Sequence, residues 1–112
     1  MSEEGINAMK RGKRESVIHE LSARFIEQES GPQSLITVTR IIMSPDGKSV
    51  QIFLSILPTT KENAALDFLK RKRSEFREFV KKHSRMRIVP FFDFVIDLGE
   101  KNRQNIDALL GH

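Results

Sequence analysis

The sequence predicts an α+β domain in which a three-stranded sheet packs against helices. The order is helix–strand–strand–helix–helix–strand, followed by a short helix. Three observations predict it. Apolar residues recur at three- and four-residue spacings in two stretches, residues 17–26 and 65–80, which is the period of an amphipathic helix. Two β-branched or alternating runs, residues 35–43 and 50–57, flank the turn Ser44-Pro45-Asp46-Gly47. The chain has 112 residues, which suits one small core and leaves no room for a second.

Residues 1–9 show no periodicity and are read as a flexible N-terminal tail ahead of a single domain over residues 10–112. The first helix is expected from about Arg14 to Gln28, with Val17, Ile18, Leu21, Phe25 and Ile26 on one face. Its charges run from basic (Lys10, Arg11, Lys13, Arg14) to acidic (Glu27, Glu29). That order opposes the helix macrodipole, so helix stability did not set it. Gly31-Pro32 stops the helix. Ile36, Thr37, Val38, Thr39, Ile41 and Ile42 make a β-branched first strand. The second alternates, with Val50, Ile52, Leu54 and Ile56 on one face and Gln51, Phe53, Ser55 and Leu57 on the other. Proline presets the first central dihedral of the turn between them, and Asp-Gly tolerates the conformations of the next two positions. So short a turn makes the two strands antiparallel.

Pro58 ends the second strand, and Thr59 or Thr60 is the expected cap of the next helix. The helical pattern then runs from about Lys61 to His83. At about 100° per residue, Ala65, Leu69, Phe76, Phe79 and Val80 gather on one side, and Lys70, Arg73, Arg77, Lys81 and Arg85 on the other. Lys72 falls in the apolar sector of a straight helix, so a break is expected between Lys72 and Glu75. The run Ile88–Ile96 reads as the third strand, with Pro90 at its start or at a sheet edge. Leu98-Gly99 ends it. Arg103–Leu110 reads as a last short helix packing Ile106, Leu109 and Leu110 inward.

Charge locates the functional surface. The chain carries 19 Lys+Arg against 15 Asp+Glu, a net charge of +4, with a pI near 9.7. A basic balance points to a polyanionic partner. The excess is local: residues 70–87 hold nine basic and two acidic residues, a net +7, and the rest of the chain is −3. Long cations on one helix face displace counterions from a nucleic-acid backbone. The alternative is a solvated helix face. There is no cysteine, which excludes disulfide scaffolds, thiol nucleophiles and cysteine-based metal sites and fits a reducing compartment. The N-terminus, Met1-Ser2-Glu3-Glu4-Gly5, has no apolar leader segment, and no apolar run approaches the roughly 20 residues of a membrane helix. A cytoplasmic location without membrane contact is expected.

His19, His83 and His112 have no metal-ligand spacing, and His19 beside Glu20 is read as a surface residue. Asp93 and Asp97 share a strand face, but no nucleophile accompanies them, so no catalytic residues, metal or cofactor are expected. Phe25, Phe76 and Phe79 are assigned to the core. Phe53, Phe91 and Phe92 either stack on bases or are buried, and burial is the favoured reading. Arg85 and Arg87 flank the third strand, and one of them is a candidate partner for Asp93 or Asp97.

The element order is that of the bacterial type of KH domain. The residues resemble the ribosome-binding factor A family over about Lys10 to Leu110. The stretches that carry the resemblance are Arg11-Gly12-Lys13-Arg14-Glu15-Ser16-Val17-Ile18, Val38 to Asp46, Val50 to Leu57, Phe76-Arg77, Arg85-Met86-Arg87-Ile88-Val89-Pro90, Phe94 with Asp97, and Ile106 with Leu109-Leu110. The resemblance implies a type II KH-like domain that binds the immature 30S subunit and 16S rRNA and supports rRNA 5′-end processing without catalysis. It would act as a monomer with no small-molecule substrate. The RNA-binding residues would be Lys70, Arg71, Arg73, Arg77, Lys81, Lys82, Arg85 and Arg87, with Arg11 and Arg14 extending the patch. The alternatives are a general KH-type single-stranded RNA-binding protein and a basic protein-interaction module. There is one departure. KH domains carry a Gly-x-x-Gly loop between their central helices and this family an Ala-x-Gly kink, where this chain has Arg73-Ser74-Glu75. Glutamate at the glycine position implies a kink of different shape and phosphate contact by side chains.

Overall fold

A computed structural model describes the backbone of residues 3–109 and the side chains of residues 12–103. The first helix, α1, spans Glu3–Glu29. It starts ahead of Arg14, so the backbone of residues 3–9 is helical where the missing periodicity predicted a tail. Ile18, Leu21, Phe25 and Ile26 are buried and Val17 packs beside them. Burying each such side chain contributes about 1.5–3 kcal/mol. Ser22 is buried on the same face, and its hydroxyl donates to the His19 carbonyl at 2.9 Å. The helix ends before Gly31-Pro32, as expected.

Strands β1 (Leu35–Met43) and β2 (Ser49–Leu57) pair antiparallel, from Leu35 opposite Leu57 to Met43 opposite Val50. The register shifts at Thr39, which has no opposite number between Val38–Leu54 and Arg40–Phe53. This bulge explains a pattern that strict alternation does not produce. Ile36 and Val38 face the core before it, Ile41 and Met43 after it. One extra residue flips the parity of everything downstream. In the connecting turn the Gly47 amide donates to the Ser44 carbonyl at 2.9 Å, and Gly47 takes φ +72°. That left-handed value is what glycine supplies there. The Ser44 hydroxyl and the Lys48 amide both donate to Asp46 Oδ1, at 2.7 and 3.0 Å.

Thr59–Lys61 form a 3₁₀ turn, followed by α2 (Glu62–Arg71) and α3 (Arg73–His83). Neither Thr59 nor Thr60 caps α2; Lys61 occupies that position and no side chain caps it. The expected break falls on Lys72, at φ −92° and ψ 5°. Its amide bonds back to the Leu69 carbonyl at 3.0 Å, a tight last turn. The cause is the lysine itself: a continuous helix would bury its charge, which is costly. The break instead leaves Nζ 3.2 Å from Glu75 and 3.8 Å from Glu29. No residue other than glycine has positive φ among the described residues, so Glu75 sits unstrained in the first turn of α3.

Strand β3 (Phe91–Ile96) begins after Pro90 and is shorter than the expected Ile88–Ile96. Proline has no amide for the ladder, and Ile88 lies outside the sheet. β3 pairs parallel to β2, Ser49 opposite Phe91 through Leu54 opposite Ile96, and the sheet order is β1-β2-β3. A parallel neighbour needs a long crossover, and α2–α3 supply it. Helix α4 (Leu98–Leu109) starts at Leu98, so Leu98-Gly99 opens a helix rather than a loop. Asp97 caps it, accepting the Glu100 amide at 3.1 Å. The side chains of Ile106, Leu109 and Leu110 lie outside the described residues.

The core is the layer between β2 and the helices. Val50, Ile52, Leu54 and Ile56 are buried, as their alternation predicts. Phe76 is its centre, with ring centroids 5.2 Å from Phe25, 4.7 Å from Phe92 and 5.7 Å from Phe94. Phe25 and Phe76 are buried and Phe79 is partly so. Burial holds for Phe92 and fails for Phe91, which is exposed. Phe53 is half-buried on the outer face, with the Arg40 guanidinium 4.2 Å above its ring. The helix–strand–strand–helix–helix–strand order with α4 appended is the type II KH-like architecture.

Candidate nucleic-acid interface

The expected cations divide into two groups. Lys70 and Arg73 converge on one carboxylate, Asp93 Oδ1, at 3.4 and 3.3 Å. Arg73 Nε also donates to the Lys70 carbonyl at 3.1 Å. Arg77 donates to the Val89 carbonyl at 3.0 Å and so ties α3 to the segment before β3. By contrast, the side chains of Arg71, Lys81, Lys82, Arg85 and Arg87 make no ion pair or hydrogen bond among the described residues. Arg85 and Arg87 therefore pair with neither Asp93 nor Asp97. Asp97 belongs to Thr39, whose hydroxyl donates to Oδ2 at 2.6 Å, and to Arg40, whose Nε stands 3.5 Å away. Both aspartates have structural partners. No cluster of three metal-ligating side chains occurs among the described residues.

Local charge follows from this pairing. A depression of about 490 Å³ beside the α2–α3 break is lined by Asp67, Lys70, Arg71 and Arg73. Asp67, with Asp93 at its edge, offsets two of its three cations. A second groove, of about 410 Å³, lies between α1 and residues 84–88. It is lined by Lys13, Arg14, Arg85 and Arg87 around Val17, Met86 and Ile88, with no carboxylate in its wall among the described residues. Among the described residues, four cations line it against no anion.

The fold builds this groove from an antiparallel helix pair and a stiff exit. Phe25 of α1 meets Phe76 and Phe79 of α3, at 5.2 and 5.4 Å. Two turns earlier on α1, Val17 therefore lies beside the chain leaving α3. Ser84 ends α3 in an extended conformation, and its hydroxyl accepts the Met86 amide at 3.3 Å. Val89 and Pro90 are buried and anchor the far end. Between these fixed points Met86 is half-buried, and Arg85, Arg87 and Ile88 face solvent. Arg14 crosses the groove mouth and donates to the Gly47 carbonyl at 3.5 Å. The side chain of Arg11 lies outside the described residues. The sequence identifies most cations of this groove but not its floor. The available signal is Met86 and Ile88 alternating with Arg85 and Arg87, which reads equally well as the start of a strand.

The chain matches the ribosome-binding factor A family over residues 10–110. The factor from Thermosipho africanus is 28% identical over 102 residues, covering 86% of this chain and 81% of that one. The factor from Thermodesulfovibrio yellowstonii is 32% identical over 75 residues, covering 67% and 64%. The crystal structure of ribosome-binding factor A from Thermus thermophilus superposes with a TM-score of 0.69 at 23% identity, covering 76% of this chain and 92% of that one. A homology model of the Thermus thermophilus factor, fitted into a cryo-EM map of a 30S complex, gives 0.61 at 22% identity over 76% and 88%. The family match spans the helices, the sheet and both walls of the groove, and on that ground the chain belongs to the ribosome-binding factor A family.

Proposed function

We propose that this protein is a small-subunit assembly factor that binds the immature 30S subunit through 16S rRNA and supports processing of the rRNA 5′ end. The observation that carries the reading is a run of cations with no ion pair among the described residues, on a chain of this family. It extends from Lys81 and Lys82 through Arg85 and Arg87 to Lys13 and Arg14. Phosphates supply the affinity, and side chains contact them in place of a glycine loop. Lys70, Arg71, Arg73 and Arg77 form a secondary part of the surface, reduced by Asp93 and by the Val89 carbonyl. The mechanism is a population shift without catalysis: the factor prefers one rRNA conformation and leaves when maturation removes it. It works as a monomer in the cytoplasm and needs no cofactor. The complex with a 30S particle described for the Thermus factor supports the choice of subunit.

Co-sedimentation with purified small subunits, large subunits and a random RNA tests this. Binding to small subunits is expected to persist in excess competitor RNA. Loss of it to competitor points to a general single-stranded RNA-binding protein, and weak RNA binding with a shallow salt slope to a protein-interaction module.

A further inference from the structure

Phosphate contact alone does not require the floor of the groove between α1 and residues 84–88. The lining is cationic at Lys13, Arg14, Arg85 and Arg87 but apolar at Val17, Met86 and Ile88. Ile88 is 78% exposed and is held out by the two buried residues after it. The same end of the molecule carries a second exposed apolar surface. Arg14 reaches from the groove to the Gly47 carbonyl. Phe91, 77% exposed, donates its amide to the Lys48 carbonyl at 2.9 Å. The groove and the Phe91 ring thus flank the β1–β2 turn, with Lys48 between them.

We propose that the groove is a nucleobase subsite. One base of a single-stranded RNA leaves its stack and packs against Val17, Met86 and Ile88, while Lys13, Arg14, Arg85 and Arg87 hold the phosphates on either side. The proposal rests on the RNA-binding reading above and names what that surface takes. Charge complementarity selects a polyanion, and the apolar floor selects one with a flat apolar face to bury. Duplex RNA does not present one, because its bases are stacked and paired. An amphipathic protein helix needs apolar anchors across two turns, and three clustered side chains do not provide them. The volume of about 410 Å³ is in the range of sites that enclose a small organic group. The subsite lies away from the α2–α3 break, where Asp67 and Asp93 stand among the cations.

The test uses the full chain and three fluorescein-labelled RNAs of equal length: a single strand, the same strand with abasic positions, and a duplex. The unaltered chain is expected to bind the intact strand about tenfold more tightly than the other two, the effect of one packed base. Ile88→Ser, at an exposed position, abolishes that difference and leaves the abasic affinity and the thermal unfolding midpoint in place. Arg87→Ala weakens intact and abasic strands equally. Equal binding of intact and abasic strands by the unaltered chain overturns the subsite, and retention of small subunits by that chain leaves the RNA-binding reading standing. A chain that binds none of the RNAs and no small subunits overturns both. A poly-glutamate peptide that displaces the intact strand, and whose own binding falls with Ile88→Ser, overturns the subsite in favour of a protein partner.

Discussion

Asp97 joins three elements from a position that is 7% exposed. One oxygen takes the Thr39 hydroxyl at the β1 bulge and stands near Arg40; the other takes the first-turn amide of α4. Asp97→Ala leaves the α4 amide without its acceptor and the Thr39 hydroxyl with only the Phe53 carbonyl, at 3.2 Å, and is expected to lower stability by about 2 kcal/mol. Asp97→Asn keeps a capping oxygen and loses about half as much. Urea unfolding measures both, and a loss below about 0.5 kcal/mol for alanine, the size of an ordinary surface change, contradicts the role. The contacts with Thr39 and Arg40 were not legible in the sequence, because Thr39 is 58 residues away along the chain; the cap on α4 is only three residues away. Asp46 is the opposite case: the residues of Ser44-Pro45-Asp46-Gly47 act on close neighbours, so the turn was readable. The Ser44 hydroxyl first, and the Lys48 amide second, hold the Asp46 carboxyl below the usual aspartate range. A depressed folded-state pKa stabilises the turn above the unfolded value of about 3.9, and the contribution is lost as pH falls through the lower folded value. Asp46→Ala is therefore expected to flatten the stability profile below about pH 4 and leave its shape near neutrality unchanged. An unaltered acid limb contradicts this.

At the scale of elements, the legible features were those a local pattern fixes. β2 alternates because one face is buried along its whole length, and the α2–α3 break comes from one lysine in an apolar sector. β1 hid its bulge, because a run of Ile, Thr and Val fits either parity and only the pairing with β2 shows where it switches. α4 was expected to start too late, since Leu98-Gly99 was read as the end of the strand although Asp97 caps the helix from three residues before Glu100. The break also tests the glycine position. Glu75 lies within α3, in its first turn, where an acidic side chain faces the positive end of the helix and Lys72. Glu75→Gly is expected to cost about 1 kcal/mol of stability, the usual glycine penalty in a helix. Stabilisation by this change, measured by the same urea titration, would mean that the break is strained by the side chain.

Across the whole molecule, the net +4 conceals a +7 segment on a −3 background, which the sequence marks as one stretch of chain. It did not distinguish its members. Lys70 and Arg73 are drawn to Asp93 on β3, and Arg77 to a carbonyl beside it, by contacts that exist only once the crossover has folded back on the sheet. Arg85 and Arg87 have no such partner among the described residues. They meet Lys13 and Arg14, about 70 residues earlier, because α1 and α3 run antiparallel. The proposed binding surface is thus the end of the helix pair, not the middle of the basic run. Affinity for purified small subunits, measured as a function of salt for two double variants, decides this. Arg85→Ala with Arg87→Ala is expected to weaken binding and to reduce the slope of log K against log salt by about 1.5, the loss of two phosphate contacts. Lys70→Ala with Arg73→Ala is expected to leave the slope near that of the unaltered chain. The reverse, a slope that falls with Lys70 and Arg73 and holds without Arg85 and Arg87, contradicts the assignment.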